Sequence, residues 1–401
     1  MPHRSANDIQ AKKIIKMENY AIKIRREIHE RPEVGFDLEN TLSIVRRELD
    51  KMGVEYTEKY GKSSIVATIG EREGYTLAIR ADMDALPIEE KNDVPYKSKN
   101  VGKMHACGHD AHTAILLDVV RRVNEIKDEI PYRVKFFFQS AEEYAPGGAS
   151  LMVRDGVMEG VDEVYALHVA PNVDTGVITL RPGPQNAASN GFYLNFYGVS
   201  AHAARKEEGR DAIKMALTAY FDIEKVVDEH KSAGEKIVFH VGKVEGGKTN
   251  NIVASECSLF CTLRTLDDET ADKLKAEIEE AAKLAAEKLG GRAELVMSKS
   301  YPVVINDEGA TQSIKKAALN VIGEENITTG KRGMGGEDFS YFTRLAPGCM
   351  FHLGVRNEAL FEPKPLHNDK FQLDERALGI GSDIFVQLVL NKAKEINGRE
   401  M

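Results

Sequence analysis

The stretch that most restricts the fold is Tyr132-Arg-Val-Lys-Phe-Phe-Phe138, a short apolar run that opens directly onto Gln139-Ser-Ala-Glu-Glu143. It reads as a strand ending in a polar, acidic loop. The same pattern occurs on either side of it. Ser64–Ile69 and Tyr75–Arg80 are apolar and β-rich with a Gly-containing turn between them, and the second runs into Ala81-Asp-Met-Asp-Ala-Leu-Pro87. Asp82 and Asp84 therefore fall just past a strand's C-terminal end. Val164-Tyr-Ala-Leu-His168 is a further strand, ending in a histidine, and helical stretches lie between at about 113–127 and 148–156. Strands alternating with helices imply an α/β sheet, in which ligands bind beyond the strands' carboxyl ends. Asp82, Asp84, Glu142, Glu143 and His168 all occupy that class of position. A solvated loop accounts for one or two such residues, and five are harder to assign to chance.

The rest of the chain divides around this core. A helix is expected from Asn7 to Glu30, stopped by Pro32, and a second over Leu38–Met52, closed by Gly53. After Pro184 the pattern becomes strand (Gly191–Gly198), helix (Asp211–Lys231), strand (Lys236–Val244), strand (Cys257–Arg264), helix (Glu269–Leu289) and strand (Ala293–Met297). That βαββαβ order is the ferredoxin-like split motif. The expected architecture is thus a mixed, mostly parallel sheet with flanking helices, built from residues 1–185 and 299–401, with an α+β domain inserted over 186–298. From Ser300 the alternation resumes, with helices near 309–321, 338–345 and 374–396. Two domains suit a chain of 401 residues. The net charge of −9, with no long Lys/Arg cluster, argues against nucleic-acid binding. Four scattered cysteines do not form a disulfide framework. The polar start of the chain lacks the apolar core of a signal peptide, and no run reaches membrane-spanning length. A cytoplasmic protein without membrane partners is expected.

The chemistry concentrates in Met104-His-Ala-Cys-Gly-His-Asp-Ala-His112, which holds three of the eleven histidines and one of the four cysteines. The following run, Thr113–Val120, reads as a helix, so this segment is expected to be the loop that enters it. Cys107 with His109 suits zinc and its neighbours in the first transition row. A pair alone fits a buried cysteine beside a helix-start histidine equally well. Glu142 and Glu143 are adjacent, so on an extended chain one can ligate a metal while the other faces a water. Metal-assisted hydrolysis needs that division between a Lewis acid and a proton-accepting carboxylate. By spacing alone His202, in Ser200-Ala-His202, and His367, in Lys364-Pro-Leu-His367, are unremarkable.

These segments together resemble a known family. Arg25-Arg-Glu-Ile-His-Glu-Arg-Pro-Glu33, Arg80–Pro87, Met104–Asp110, Ser140-Ala-Glu-Glu143, Leu167-His168, Ser200-Ala-His202 and Met334-Gly-Gly-Glu-Asp-Phe339 resemble the dinuclear metallopeptidases of the aminoacylase and carboxypeptidase G type. The branch with hippurate hydrolase and the auxin-conjugate amidohydrolases is the most similar. The resemblance implies that Cys107 bridges two metal ions and that His109, Glu143, His168 and His367 complete the ligand set. It implies Glu142 as general base, Asp84 as the carboxylate orienting a ligand imidazole, and His202 as the oxyanion-stabilising histidine supplied to a neighbouring subunit. Asn251 and Arg264 match substrate-contacting positions, although Ala254 stands where the family often has proline. Asp82 receives no ligand role. Gly335-Gly336 suits either a close approach of substrate or a structural turn.

The reading is a metal-dependent amidohydrolase acting on N-acyl amino acids or short peptides through metal-activated water. Zinc is favoured, and manganese, cobalt or nickel could also support the chemistry. The inserted domain would be the lid and the contact of a homodimer or larger homo-oligomer. A thiolate in the bridge should make the enzyme sensitive to oxidants. Two other readings stand beside it: a metal-free cysteine amidase using Cys107, which leaves the Glu142-Glu143 pair without a task, and a non-catalytic peptide-binding relative.

Overall fold

The computed structural model describes residues 20–70, 74–330 and 332–398. In chain order it begins with α1 (20–29), α2 (Glu39–Met52), β1 (Glu55–Thr57), β2 (Ile65–Ile69), β3 (Thr76–Asp82), α3 (His109–Glu125), β4 (Arg133–Gln139), α4 (Gly148–Arg154), β5 (Glu163–Asp174) and β6 (Ile178–Thr179). Next come β7 (Ala188–Tyr197), α5 (Ala212–Ser232), β8 (Ile237–Gly246), β9 (Glu256–Thr265), α6 (Asp268–Glu287) and β10 (Arg292–Tyr301). The chain closes with α7 (Glu308–Ile322), β11 (Ile327–Thr328), β12 (Gly348–Arg356) and α8 (Arg376–Asn397). The part of the expected first helix before residue 20 lies outside the described residues. Two compact units result: one holds residues up to 183, 305–331 and those from 341 on, and the other holds 184–304 and 332–340.

The first unit is built on an eight-stranded sheet of order β1-β2-β4-β3-β5-β12-β6-β11. The pairs β3–β4, β3–β5, β5–β12 and β6–β11 are parallel, whereas β1–β2, β2–β4 and β6–β12 are antiparallel. Every residue of β3 and all but the first of β4 are buried, including Phe136, Phe137 and Phe138. Strands covered on both faces read as continuous apolar runs rather than alternating ones, which is why these were legible. Helix α3 packs across β3, β4 and β5, and α8 packs against α3, α7 and β12. Gly53 closes α2 in the left-handed conformation (φ 63°), its N–H returning to the carbonyls of Leu49 and Asp50.

The second unit is a four-stranded antiparallel sheet of order β10-β7-β9-β8, with α5 and α6 packed on it. Its burial alternates along the strands. Phe192, Leu194 and Phe196 of β7 and Cys257, Leu259, Cys261 and Leu263 of β9 face the helices, and the residues between them are more exposed. Asp211 and Asp267 cap the two helices by accepting from Ile213 and Lys214, and from Thr270, respectively.

Besides the short strands β1, β6 and β11, three elements differ from the sequence reading. The strand begun at Glu163 does not end at His168 but continues to Asp174, because β12 pairs with it beyond the point where β3 stops. The helix expected over 338–345 is only the turn Ser340–Thr343. Strand β12, fully inside the sheet, was not foreseen at all: its two glycines and central histidine interrupt the apolar signal. Among the described residues no helix is long and apolar enough to cross a membrane.

Candidate metal centre

The side chains that converge come from the ends of β3 and β4, the start of α3, the middle of β5 and the loop before α8. Cys107 and Gly108 precede α3, but His109 opens the helix and His112 lies in its first turn, so the segment is part helix rather than a loop throughout. Gly108 has φ 85°, and a Cβ there would lie 2.4 Å from Val169 Cγ2. Only glycine lets the motif sit this close to β5. Past β4, Ala141 takes a left-handed backbone (φ 50°) and so turns Glu142 and Glu143 out of line with the strand. His367 is also left-handed (φ 62°), and its N–H donates to the Ala106 carbonyl at 2.8 Å, beside Cys107. Non-glycine residues in this conformation cost about 1–3 kcal/mol each and persist where surrounding structure dictates them.

The donor atoms of Cys107, His109 and His168 lie within 4.8 Å of one another, as do those of Cys107, Glu143 and His367, and those of His109, Glu142 and Glu143. Cys107 Sγ is 3.5 Å from His168 Nε2, and His367 Nε2 is 2.9 Å from Glu143 Oε1. All five expected ligands and Glu142 are thus gathered in the first unit. Asp84 stands behind them: its Oδ1 and Oδ2 accept from the backbone N–H groups of Glu142 (2.9 Å) and Glu143 (3.2 Å), and Oδ1 lies 3.4 Å from His109 Nδ1.

The donor set fits a divalent metal ion. Both ring nitrogens of His109 are buried without a hydrogen bond of ordinary geometry, an expensive state for an imidazole whose lone pair has no other use. His168 Nδ1–H donates to the Val169 carbonyl at 2.8 Å, which leaves the Nε2 lone pair directed at Cys107. Sulfur, imidazole and carboxylate together suit zinc and the later first-row metals. Burial, reinforced by Glu143 and Glu142, pushes the Cys107 thiol up. A reactive nucleophilic thiol needs the opposite shift, whereas a coordinated cation deprotonates the sulfur directly.

Asp82 lies within reach of His109 and His112, but this group is a hydrogen-bond network. His112 Nδ1 donates to Asp82 Oδ1 at 2.6 Å, and its Nε2 accepts from the Val169 N–H at 3.0 Å, so neither nitrogen remains for a metal. Burial alone would raise the Asp82 carboxyl, but His109, Arg80 and His112 outweigh it and hold it well below the usual range. A second buried cluster had gone unassigned in the sequence. Arg25 Nε donates to Asp110 Oδ2 at 2.8 Å and Nη1 to Glu375 at 3.0 Å, while His29 joins Asp110 (2.8 Å) to Glu90 (3.3 Å). It ties α1 to the residue after His109. The sequence signals were the Arg25–Glu33 motif and Asp110 at the end of the Met104–Asp110 one.

The second unit carries the remaining candidates. His202 and Asn251 are exposed and lie on facing backbone segments, with the Ala203 N–H donating to the Asn251 carbonyl at 3.0 Å. His202 Nδ1 accepts from the Ala204 N–H at 3.1 Å. Arg264 Nη1 donates to the Met334 carbonyl at 2.7 Å. A Cβ on Gly336 would stand 2.6 Å from the Ser189 Cβ, so this glycine serves a close approach of the chain to itself.

Residues 78–391 match the model of peptidase family M20/M25/M40. The chain is 34% identical over 370 residues to thermostable carboxypeptidase 2 of Saccharolobus solfataricus, covering 91% of this chain and 93% of that protein. It is 33% identical over 367 residues to the N-acetyl-L-cysteine deacetylase of Bacillus subtilis, covering 90% and 85%. Among solved structures, a putative aminohydrolase from methicillin resistant Staphylococcus aureus superposes with a TM-score of 0.90 at 31% identity, covering 95% and 98%. A Bacillus subtilis protein described as a dinuclear metal binding peptidase gives 0.82 at 29%, covering 94% and 99%. The chain belongs to peptidase family M20/M25/M40, the enzymes among which are amidohydrolases and peptidases.

Proposed function

We propose that this amidohydrolase cleaves the amide bond of N-acyl amino acids or short peptides, using two divalent ions, zinc by preference. Cys107 would be the ligand common to both ions, and His109, Glu143, His168 and His367 would complete the set. The observation that carries the reading is the overlap of the donor groups: the Cys107–His109–His168 and Cys107–Glu143–His367 triads meet at one sulfur. The names of the relatives, a carboxypeptidase and an N-acetyl-L-cysteine deacetylase, bracket the substrate class.

When bound, the metal pair supplies the Lewis acidity that polarises the scissile carbonyl and acidifies water. Glu142, buried and held by its backbone N–H on Asp84, takes the proton of the attacking water and passes it to the leaving nitrogen. His202 acts on the oxyanion. Its Nδ1 accepts from the Ala204 N–H, which leaves Nε2 as the ring's donor. Asn251 and Arg264 contact the substrate. The second unit serves as lid and as the contact of a homodimer, for which its edge strand β8 and the exposed Ile213, Leu217 and Phe221 along α5 are the supporting features. Four unpaired cysteines agree with a reducing cytoplasm.

The test is metal content together with hydrolysis of N-acetyl-methionine, hippurate and several dipeptides, as purified, after chelation, and after return of zinc or manganese. Activity lost to chelator and restored by metal is expected. Hydrolysis indifferent to chelator, with blockage by iodoacetamide, would overturn the centre in favour of a thiol nucleophile.

A further inference from the structure

Strand β3 ends at Asp82, a fully buried carboxylate at the edge of the metal centre that the ligand set leaves without a task. We infer that Arg80, Asp82 and His112 form a positioning relay that fixes the tautomer and aim of the His168 imidazole. The inference rests on His168 being a metal ligand, as proposed above.

The relay begins where the sheet changes. Strand β5 pairs with β3 only as far as Ala166, while its pairing with β12 continues through His168 and Val169. The Val169 N–H therefore finds no strand on the β3 side, and it donates to His112 Nε2 at 3.0 Å instead. A ring nitrogen that accepts carries no proton. The proton of neutral His112 is then on Nδ1, which donates to Asp82 Oδ1 at 2.6 Å. Asp82 Oδ2 accepts from Arg80 Nη1 at 2.8 Å, and Arg80 Nε donates to Gln139 Oε1 at 2.8 Å. The Asp82 carbonyl accepts from Thr113 Oγ1 at 2.8 Å, which fastens the first turn of α3 to the same strand end.

At the other end, the Val169 carbonyl accepts from His168 Nδ1–H at 2.8 Å. One peptide residue thus receives the tether on its N–H and orients the ligand with its C=O. The His112 ring also packs edge-on to that of His168, with centroids 4.7 Å apart at 68°. Arg80, Asp82 and His112 are each 2% exposed or less, so water does not compete for these bonds. Asp82 Oδ2 lies 3.7 Å from His109 Nε2, beyond hydrogen-bond range, and supports that ligand through charge alone. Partners of this kind, one bond removed from the metal, set ring orientation and ligand basicity.

The experiment uses His112→Asn and His112→Gln. The Asn amide keeps a donor towards Asp82, and the Gln amide keeps an acceptor towards Val169, but neither serves both arms. Zinc and cobalt affinities are read by competition with a chromophoric chelator, together with the visible spectrum of the cobalt-loaded protein and the unfolding midpoint of the metal-free one. Both variants should lose about 10–100-fold in metal affinity and shift the cobalt bands, with a folded metal-free protein. His168→Ala, which removes the ligand itself, sets the upper limit of that loss. Native affinity and spectrum in either His112 variant would overturn the relay while His168→Ala still weakens binding. Unchanged metal binding in His168→Ala would instead overturn the ligand assignment, and the relay with it. Should the His112 variants not fold, Asp82→Asn keeps an acceptor for His112 but removes the counter-charge of Arg80. It is expected to weaken binding in the same direction, and native affinity and spectrum there would equally overturn the relay.

Discussion

His112 and His230, like His29 between Asp110 and Glu90, each bridge two partners through both ring nitrogens, and the partners of His112 and His230 favour opposite protonation states. His112, in the first unit, faces a carboxylate on one side and a backbone N–H on the other, so one nitrogen must accept and the ring is neutral. Burial, only partly offset by Asp82, brings its pKa down to about 4. His230, near the end of α5 in the second unit, faces Glu235 at 2.8 Å and Glu277 at 2.7 Å, two carboxylates that can only accept, so this pair of partners favours the doubly protonated, cationic ring. The hydrogen bond to Glu277, ahead of the opposing burial, raises its pKa. Partner chemistry sets the charge, and burial sets how firmly it is held. Around His112 the polar groups are sealed into one geometry. Around His230 they stay near solvent and respond to it.

The largest expected effect falls in the sealed region. Glu142→Gln retains shape and removes only the ability to accept a proton. The turnover number should fall by about 10²–10⁴-fold while metal content stays at the wild-type level, as steady-state kinetics with elemental analysis would register. Near-normal turnover would return Glu142 to a merely structural acid. Next comes Arg25→Met. The guanidinium is 2% exposed and shared between Asp110 and Glu375, with Tyr96 at 5.0 Å from it. Its removal takes the guanidinium counter-charge from buried Asp110, which keeps only the His29 contact at 2.8 Å, and should cost about 3–5 kcal/mol in denaturant unfolding. The surface pair Lys283–Glu279 on α6, at 2.7 Å, is the control, and losing it should cost no more than about 0.5 kcal/mol. Similar costs at the two sites would erase the contrast between the regions.

The same contrast explains which parts could be read from the sequence. Strands β3 and β4 were legible because burial on both faces leaves continuous apolar runs, and α2 because Gly53 ends it. The βαββαβ order of the second unit was legible from elements of ordinary length with clear boundaries. Strand β12 was not: Gly348, His352 and Gly354 weaken its local preference, and its place is fixed by β5 and β6 on either side. Within the site, Cys107, His109, Glu142 and Glu143 stand in two short segments and announce a chemistry together. His367 stands far along the chain in a loop. In the sequence only family resemblance connects it to the others; in the structure its N–H bonds to Ala106 and its Nε2 stands 2.9 Å from Glu143. The link from Asp82 to His112 was out of reach, since it exists only because β5 runs on after β3 has stopped.

The smallest effect is the one that most directly tests the contrast. Glu235 and Glu277 are more than a third exposed, so solvent and salt screen their pull on His230. The raised pKa means that folding gains from this ion triad fully below the unfolded value of about 6.5, and loses the gain as pH rises through the higher folded value. For an exposed cluster the gain is about 0.2–1 kcal/mol. His230→Gln, which keeps hydrogen-bonding capacity but carries no charge, should therefore be less stable than the parent at pH 5.5 and nearly equal to it at pH 9. The gap at low pH should shrink in 1 M salt. Denaturant melts of the two proteins across that range measure it. A gap of the same size at every pH would mean that His230 acts through packing rather than charge, and the contrast with His112 would fall.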